Sequence, residues 1–334
     1  MRTIIIAEAG VNHNGDKKIA LELIEAAKSC GADYIKFQTF KAVDVVINSA
    51  RQCHYQEQNS TIKESQVEML KKLELSKSDF EELYSHCKKI GIRFLSTGFT
   101  PGDLEFLDKF KMDFIKIASS EVTHLPLLES AAKIGENSKI ILSTGMCSLG
   151  EVEKALNILL SFGIKRNQIT LLHCTSEYPA PLNSVNLNAM NTLKNAFGCE
   201  VGYSDHTEGK DVAIAAVAMG ATIIEKHFTL DKNMIGPDHK ASLDPKELSS
   251  MITSIRNINL SLGSPIKKLT IAEEKNVNLV RKSLVAIKNI KAGEKFTPEN
   301  LGCKRPGTGI SPMKYYDFLN KPAAKDYQSD QMID

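Results

Sequence analysis

The sequence predicts an α/β protein, a (β/α)8 barrel followed by a small β-rich domain. Short apolar runs alternate with longer amphipathic stretches through the first three quarters of the 334 residues. Such alternation indicates a parallel sheet with helical crossovers. Eight units fall within about 260 residues, which is the strand count and length of a (β/α)8 barrel. The pattern changes after Leu262-Gly263-Ser264-Pro265, so a second domain is expected there.

Eight runs rich in apolar and β-branched residues are predicted as the strands. Their continuous apolar character suits strands that are buried on both faces. An open, doubly wound sheet is the alternative, but Asn12-His13-Asn14-Gly15 follows the first run instead of the GxGxxG turn that binds dinucleotides. The predicted strands span 3–7, 33–37, 92–95, 114–117, 139–142, 169–172, 200–203 and 222–225.

The amphipathic stretches between these runs carry apolar residues at a spacing of about 3.6 and are predicted as helices. The connection 39–76 is longer than the others and rich in Gln, Asn and Ser. We expect it to cover the active site, because long loops after barrel strands usually do so. Clear helical stretches span 19–29, 77–89, 125–132, 149–162 and 211–218.

The domain boundaries predicted from this pattern are a barrel at 1–262, a linker at 263–281 and a small domain at 282–334. The stretch from Lys275 onward is interpreted as β-rich, with an alternating run at 282–287 and a turn at 291–294. Thr297-Pro298 is predicted to open a helical turn, and Ser311-Pro312 a short helix that ends by Asn320. Because about sixty residues form only a marginal core, this domain is expected to pack against a partner such as a second subunit.

Composition excludes several classes of protein. With 42 basic and 40 acidic side chains the formal charge is +2, so no overall field attracts nucleic acid or an anionic membrane. No apolar stretch approaches the roughly 20 residues of a membrane span, and the first residues do not resemble a signal peptide. The seven cysteines are scattered without a CxxC motif, which favours free thiols in a reducing compartment. A cytoplasmic location is therefore expected.

Two histidines at the predicted strand ends suggest a metal site. His206 and His227 end neighbouring strands, so both imidazoles are expected at the same rim of the barrel. Two nitrogens with oxygen ligands and open positions suit Mn²⁺ or a similar divalent ion. The alternative, that each ring only bonds a backbone carbonyl, is about equally favoured; Asp205 and Glu225 are the expected orienting partners. His13 and His173 are interpreted as structural.

Two lysines inside strands suggest an anionic ligand. Lys36 and Lys116 alternate with apolar neighbours, so their ammonium groups are expected to reach the barrel mouth. An anion would relieve their repulsion; alternatively each pairs with a rim carboxylate such as Glu8 or Glu121. A Schiff-base aldolase, in which one buried lysine attacks a carbonyl, is a rival chemistry. The predicted hydroxyl donors to the anion are Thr97, Ser119 and Ser204.

Two further segments carry candidate ligand-binding residues. Asp238, in the segment 236–242 after the last predicted strand, is well placed for sugar hydroxyls, although a plain loop carboxylate is the alternative. Arg305 lies on a turn fixed by Gly and Pro at 304–309. Such a turn is usually only solvated, but it could clamp a neighbouring site.

Taken together, these motifs resemble the sialic acid synthases, which condense phosphoenolpyruvate with an N-acetylated mannose-type sugar. The resemblance covers nearly the whole chain. It implies a TIM barrel with a C-terminal antifreeze-like (SAF) domain, and a homodimer in which that domain caps the partner's barrel. The segments that carry it are Ala7-Glu8-Ala9-Gly10-Val11-Asn12-His13-Asn14-Gly15, Ile35-Lys36-Phe37-Gln38-Thr39, Gly202-Tyr203-Ser204-Asp205-His206-Thr207, Ile224-Glu225-Lys226-His227-Phe228-Thr229 and Lys304-Arg305-Pro306-Gly307.

The resemblance also implies roles for individual residues. His206 and His227 would bind the metal, with Mn²⁺ expected and Mg²⁺ or Co²⁺ possible. Glu8 or Glu225 would orient the attacking water. Arg305 would reach the N-acetyl group from the partner subunit. Some relatives have Asn in place of Ser176, which puts its phosphate contact in doubt. Phosphoenolpyruvate would be held by Lys36, Thr97, Lys116, Ser119 and Ser204, and the sugar would face Glu8, Gln38, Glu121, Tyr178 and Asp238.

Which sugar is used stays open at this point. The resemblance favours 2,4-diacetamido-2,4,6-trideoxymannose, giving N,N'-diacetyllegionaminate, through Ser96-Thr97-Gly98-Phe99 and Arg305-Pro306-Gly307-Thr308-Gly309. N-acetylneuraminate synthase, acting on N-acetylmannosamine, is the alternative. A Schiff-base lyase on the same scaffold and a non-catalytic sugar-binding protein are rival classes, the latter disfavoured by so many convergent ionisable residues.

Overall fold

The computed structural model describes residues 2–53, 56, 64–135 and 138–334. The chain divides into two compact units, one ending at Gly263 and one running from Ser264 to Asp334. Among the described residues, none of the helices has the length and apolar character needed to cross a bilayer.

The first unit is a closed barrel of eight parallel strands in sequential order, which confirms the predicted fold class. Each strand pairs with the next, and the last pairs with the first through Ile4↔Ile223 to Glu8↔His227. All eight predicted strands are present. They are β1 (Ile4–Gly10), β2 (Tyr34–Thr39), β3 (Arg93–Gly98), β4 (Phe114–Ile117), β5 (Lys139–Ser143), β6 (Ile169–Cys174), β7 (Glu200–Asp205) and β8 (Ile223–His227).

Helices surround the barrel, and the predicted ones are confirmed. Several begin at a capping box, as at Ser76 and Ser148, whose hydroxyls accept the third backbone N–H of the helix. Their apolar faces pack on the outer faces of the strands in one large core. The helices are α1 (Lys17–Ser29), α2 (Ala42–Val45), α3 (Gln66–Lys72), α4 (Lys77–Ile90), α5 (Pro101–Asp108), α6 (Leu125–Ile134), α7 (Leu149–Ser161), α8 (Ala189–Phe197), α9 (Asp211–Ala218) and α10 (Pro245–Leu262).

An apolar plug fills the lower interior of the barrel. Side chains alternate between the two faces of a strand, so every second residue points inward. Gly202 on β7 faces the same layer, where a Cβ would lie 2.4 Å from the carbonyl oxygen of Ile223. The plug closes the base and leaves the C-terminal ends of the strands as the mouth. Its members are Ile6, Tyr34, Leu95, Phe114, Ile141, Leu172 and Ile223.

The long connection after β2 contributes to the mouth, as expected. It contains α2 and α3, and a small apolar cluster that includes Phe40 and Met69 anchors it to the barrel. Part of the predicted loop, residues 54–55 and 57–63, lies outside the described residues.

The second unit is a small β-rich fold around its own core, which includes Leu284, Phe296 and Tyr327. Strands β9 (Ser283–Ala286) and β10 (Leu301–Lys304) pair antiparallel. The predicted short helix after Ser311 is present as Pro312–Lys314 and α12 (Tyr315–Phe318). The prediction that residues from Lys275 onward are β-rich is wrong at its start. A helix, α11 (Ile271–Val280), occupies part of the predicted linker because Thr270 and Glu273 form a capping box.

Candidate active site

A layer of polar side chains lies directly above the apolar plug, and each strand supplies one member. The alternation that points a plug residue inward also points the residue two positions later inward. All of these side chains come from residues that are nearly or fully buried. The layer contains two carboxylates, two ammonium groups, three hydroxyls and a thiol. Its members are Glu8, Lys36, Thr97, Lys116, Ser143, Cys174, Ser204 and Glu225.

Lys36 is tied to three members of this layer. Its ammonium group pairs with Glu8, donates to Thr97 Oγ1 at 3.0 Å and lies 3.6 Å from Glu225 Oε2. Burial lowers the pKa of Lys36, but the two carboxylates outweigh that effect and the pKa is raised. Lys36 therefore stays charged, which suits it to hold an anion.

Lys116 is held less strongly by carboxylates. It donates to Ser143 Oγ at 2.8 Å and lies 3.6 Å from Glu225 Oε1. Burial lowers its pKa, and this outweighs the attraction of Glu225. For Glu225 burial raises the pKa, but Lys116 and Lys36 outweigh it and lower the pKa to about 2. The pairing expected between a lysine and Glu121 is not found, because Glu121 Oε2 lies 2.7 Å from His124 Nδ1.

His206 and His227 meet at the top of the layer, as predicted from their strand ends. Their ring centroids are 5.6 Å apart, and the Tyr178 ring packs against both. His206 Nδ1 lies 2.6 Å from the carbonyl oxygen of Thr175. Because a carbonyl only accepts, Nδ1 carries the proton and Nε2 of the neutral ring keeps its lone pair.

Of the two orienting partners predicted for these histidines, Asp205 is wrong. Among the described residues Asp205 contacts no imidazole; its carboxylate bonds Lys226 and Thr207 instead. Glu225 reaches His206 only through Ser204, whose Oγ lies 2.9 Å from Glu225 Oε1 and 3.3 Å from His206 Nε2. The reason is strand alternation: Asp205 points away from the mouth, and Glu225 belongs to the layer below the rings.

The two histidines fit a divalent metal. Burial is the main cause that lowers the pKa of His206 to about 4 and that of His227 well below its usual value, so both rings are neutral at pH 7, as metal ligands must be. His227 Nδ1 is buried and has no hydrogen-bond partner in the described part of the chain, and Asp238 Oδ2 lies 4.0 Å from it. Among the described residues, no group of three or more His, Cys, Asp or Glu side chains surrounds a single point. The protein itself thus offers two nitrogens.

A small cradle lies beside the lysines, around Gly145. The Gly145 N–H donates to Ser119 Oγ at 2.9 Å. A Cβ at Gly145 would lie 2.3 Å from Ser176 Oγ and 2.9 Å from both Cys174 Sγ and Ser119 Oγ. Only glycine leaves room there, and the space is lined by groups that bond oxygen anions.

One cavity of about 450 Å³ brings most predicted site residues together. Asp238 is buried next to it, and desolvation raises the pKa of its carboxyl to about 7. Arg305 lies exposed in the second unit. The predicted residues that line the cavity are Glu8, Lys36, Gln38, Thr97, Lys116, Ser119, Glu121, Ser176, Tyr178, Ser204, His206, Glu225 and His227.

Two sets of residues at the cavity were not predicted as site residues. Ser143 lines the cavity and Gly145 lies beside it. Both belong to the polar end of the fifth predicted strand, where continuing the period-two alternation past the apolar part of β5 selects them. An apolar wall, formed by residues of the segments that follow β2 and β3, left no signal because apolar loop residues resemble core residues. The wall consists of Phe40, Val45, Val46, Leu70 and Phe99.

A larger cavity of about 780 Å³ lies beside the site and shares Met146, Cys174 and Ser176 with it. No Lys or Arg is found among the described residues that line this larger cavity. An anionic substrate is therefore better held in the smaller one, where the two buried lysines lie.

Comparison with known proteins identifies the families that the two parts of the chain match. The NeuB family model matches residues 23–267 and the SAF domain model residues 281–334. The N,N'-diacetyllegionaminic acid synthase of Campylobacter jejuni subsp. jejuni serotype O:2 is 54% identical over 332 residues, 99% of each chain. The Legionella pneumophila protein of that name is 45% identical, covering 96% of this chain and 90% of that one. A crystal structure of N-acetylneuraminic acid synthetase from Leptospira borgpetersenii with citrate is 35% identical, with a TM-score of 0.72 over 83% of this chain and 90% of that one.

Proposed function

Because this chain belongs to the NeuB family, we propose that it is a transferase that condenses phosphoenolpyruvate with 2,4-diacetamido-2,4,6-trideoxymannose, giving N,N'-diacetyllegionaminic acid and phosphate. Two relatives that match nearly the whole chain carry that product in their names. The observation in the structure that carries the proposal is the buried layer of two lysines and two glutamates below a pair of histidines.

The lysines and the Gly145 cradle would hold phosphoenolpyruvate. Lys36 and Lys116 supply two positive charges for its phosphate and carboxylate. The Ser119 hydroxyl, which accepts the Gly145 N–H, would supply a neutral hydrogen bond. Fixing the enol phosphate beside the sugar turns a bimolecular step into a nearly unimolecular one, which lowers the barrier by several kcal/mol.

The reaction balances with one water. Carbon 3 of phosphoenolpyruvate attacks the aldehyde carbon of the open-chain sugar, and the aldehyde oxygen takes a proton and becomes a hydroxyl. Water adds to the cationic carbon 2 and loses a proton. The adduct then releases phosphate, which leaves a nine-carbon 2-keto acid.

A divalent metal held by His206 and His227, with Mn²⁺ proposed, would supply electrophilic polarisation of the aldehyde oxygen. The two neutral rings and the unpartnered His227 Nδ1 support this assignment. The exposed residue Arg305 is proposed to contact the sugar of a partner subunit.

Glu8 is the better candidate to position the water. Glu225 is engaged by Ser204 and faces both lysines, so its charge is already compensated. Within the described residues Glu8 pairs with Lys36 alone, and its other oxygen has only a 3.5 Å contact from Gln38. We expect Glu8→Gln to lower kcat with little change in the KM for phosphoenolpyruvate. Glu225→Gln should raise that KM, because the Glu225 carboxylate opposes the lowering of the Lys116 pKa by burial and so helps to keep this lysine charged.

The apolar wall supports the trideoxy sugar over N-acetylmannosamine. The trideoxy sugar ends in a methyl group and carries two acetamido methyls, whereas N-acetylmannosamine ends in a hydroxymethyl and carries one. Apolar side chains such as Phe99 and Leu70 match methyl groups. Phe99→Ser should therefore lower kcat/KM for the trideoxy sugar about tenfold or more while barely changing that for N-acetylmannosamine. Equal losses for both sugars would contradict this assignment.

A second copy of the chain is proposed to cover the mouth with its C-terminal unit. Large apolar side chains are exposed on the barrel loops, as at Met146 and Leu182, and on the second unit, as at Met313 and Tyr316. The second unit has 13 basic and 8 acidic residues, net +5, and the first unit has 29 basic and 32 acidic residues, net −3. The second unit of one copy and the barrel of another therefore attract each other. Light scattering should give a dimer, and Arg305→Ala should weaken sugar use with the dimer intact. A monomer with full activity would contradict the proposal.

The test of the chemistry is phosphate release from phosphoenolpyruvate and the trideoxy sugar. Chelation should abolish it and Mn²⁺ should restore it; indifference to chelator would overturn the metal assignment. The Schiff-base alternative predicts that borohydride with pyruvate adds mass to Lys36 or Lys116. Finding that adduct would favour the lyase instead.

A further inference from the structure

A fully buried ion pair lies behind the two histidines, outside the cavity. Asp205 on β7 and Lys226 on β8 are register partners, and both are 0% exposed. The Lys226 ammonium lies 2.9 Å from Asp205 Oδ2. Each residue immediately precedes a histidine, so alternation directs the pair into the layer between strands and helices while the imidazoles face the mouth.

The pair also holds the backbone beyond His206. Lys226 Nζ donates to the carbonyl oxygen of Thr207. Asp205 Oδ1 accepts the Thr207 N–H at 3.0 Å and the Thr207 hydroxyl at 2.8 Å. His206 thus lies between Asp205 and Thr207, which both bond the Lys226 side chain of β8.

Stability alone is a weak reason for this arrangement. Removing two charges from water costs several kcal/mol per ion, and apolar residues of similar volume often give equal or greater stability. A buried pair with directed bonds does fix geometry, because leaving it unpaired is costly. Here the geometry that it fixes is the separation of two neighbouring strand ends.

We propose that Asp205, Lys226 and Thr207 form a clamp that holds His206 and His227 at the separation a metal needs, with ring centroids 5.6 Å apart. These are positioning residues, since none of them lines the cavity described above. The proposal rests on the proposed metal site and goes beyond it. The clamp sets the metal affinity without contributing a ligand.

The test is a titration of the metal-free full-length protein with Mn²⁺, in which electron paramagnetic resonance measures the Mn²⁺ that stays free. In the double variant Asp205→Asn/Lys226→Met the amide still accepts from Thr207, but the bond between β7 and β8 is lost without leaving a buried charge. We expect its dissociation constant for Mn²⁺ to rise about 10- to 100-fold. Its melting temperature should stay close to that of the wild type.

Two further variants separate the clamp from general destabilisation. Thr207→Val removes the hydroxyl that bonds Asp205 and should weaken Mn²⁺ binding. Thr207→Ser keeps the hydroxyl and should bind Mn²⁺ as tightly as the wild type. Arg256→Met breaks the 2.7 Å pair with Asp33, near the other end of the barrel, and should lower the melting temperature without changing Mn²⁺ binding.

The outcomes distinguish the clamp from the metal site. If the wild type binds Mn²⁺ and His206→Ala does not, while the double variant and Thr207→Val bind as tightly as the wild type, the clamp is overturned and the metal site stands. If the wild type binds no Mn²⁺, both are overturned. Weaker binding in the double variant and in Thr207→Val, but not in Arg256→Met, supports the clamp.

Discussion

At the scale of single residues, the polar layer explains how two lysines can be buried side by side. Lys36 and Lys116 are balanced by Glu8 and Glu225, so the layer carries no net charge. An entering phosphate and carboxylate therefore meet two ammonium groups that are already paired. Binding then depends on neutral donors that the glutamates do not engage, and the Gly145 cradle supplies these.

The substitution Gly145→Ala tests the cradle. The new methyl group would lie 2.3 Å from Ser176 Oγ and fill the space between Ser176 and Ser119. We expect the KM for phosphoenolpyruvate to rise at least tenfold, with a smaller change in the KM for the sugar. Gly150→Ala is the matched control, because a Cβ there meets nothing within 4 Å. Equal kinetics for the two variants would show that the cradle does not hold the substrate.

The sequence predicted the chemistry of most of these residues and only part of their pairing: Lys36 with Glu8 was one of the alternatives, and the structure shows it. Polar residues at strand ends identified Lys36, Lys116, His206 and His227, because the barrel brings such ends together. The partner of Asp205 was predicted incorrectly, because the pairing depends on which face of the strand each side chain occupies. The face that a side chain occupies depends on the residue at which its strand begins, and the amino-acid composition does not determine that residue.

At the scale of elements, β7 shows how tightly the barrel interior is packed. Gly202 faces inward at the level of the plug, between Leu172 and Ile223. Gly202→Ala would place a methyl group 2.6 Å from Leu172 Cδ2 and 2.4 Å from the Ile223 carbonyl oxygen. Overpacking of this kind typically costs about 1–3 kcal/mol.

Chemical denaturation should therefore show that Gly202→Ala lowers the free energy of unfolding by about that amount. Gly102→Ala, in helix α5, is the control, since its Cβ would contact only Thr100 Oγ1, at 3.8 Å. If the two variants were equally stable, Gly202 would not be required by packing.

The strands were predicted well in number and poorly at their C-terminal ends. The predicted strand 169–172 continues to Cys174, and 222–225 continues to His227. The added residues are polar, so they resemble loops, although each is paired to a neighbouring strand. Helix α11 was not predicted, because it buries no residue and so lacks the apolar face by which the other helices were recognised.

At the scale of the whole molecule, buried histidines predict how stability changes with pH. Burial lowers the pKa of His13 and of His239 to about 4, against a usual value near 6.5. The folded state then binds these protons less readily than the unfolded state. The stability that these two histidines contribute is therefore complete above about pH 6.5 and is lost as the pH drops toward 4.

Melting temperatures measured from pH 7.5 to 4.5 in the presence of chelator should fall steadily below pH 6.5. His13→Gln, which cannot be protonated, should make this fall shallower, and the surface variant Lys17→Gln should leave it unchanged. If the wild type and His13→Gln lost melting temperature equally over this range, His13 would take up its proton without cost.

The most direct measurement of the proposed function is a reaction run in ¹⁸O-labelled water with phosphoenolpyruvate, the trideoxy sugar and Mn²⁺, followed by mass spectrometry of both products. We predict one nine-carbon 2-keto acid for each phosphate released, and phosphate free of the label, because water adds to carbon 2 and not to phosphorus. Labelled phosphate, or phosphate released without the nine-carbon acid, would contradict the proposal that this barrel joins the two substrates.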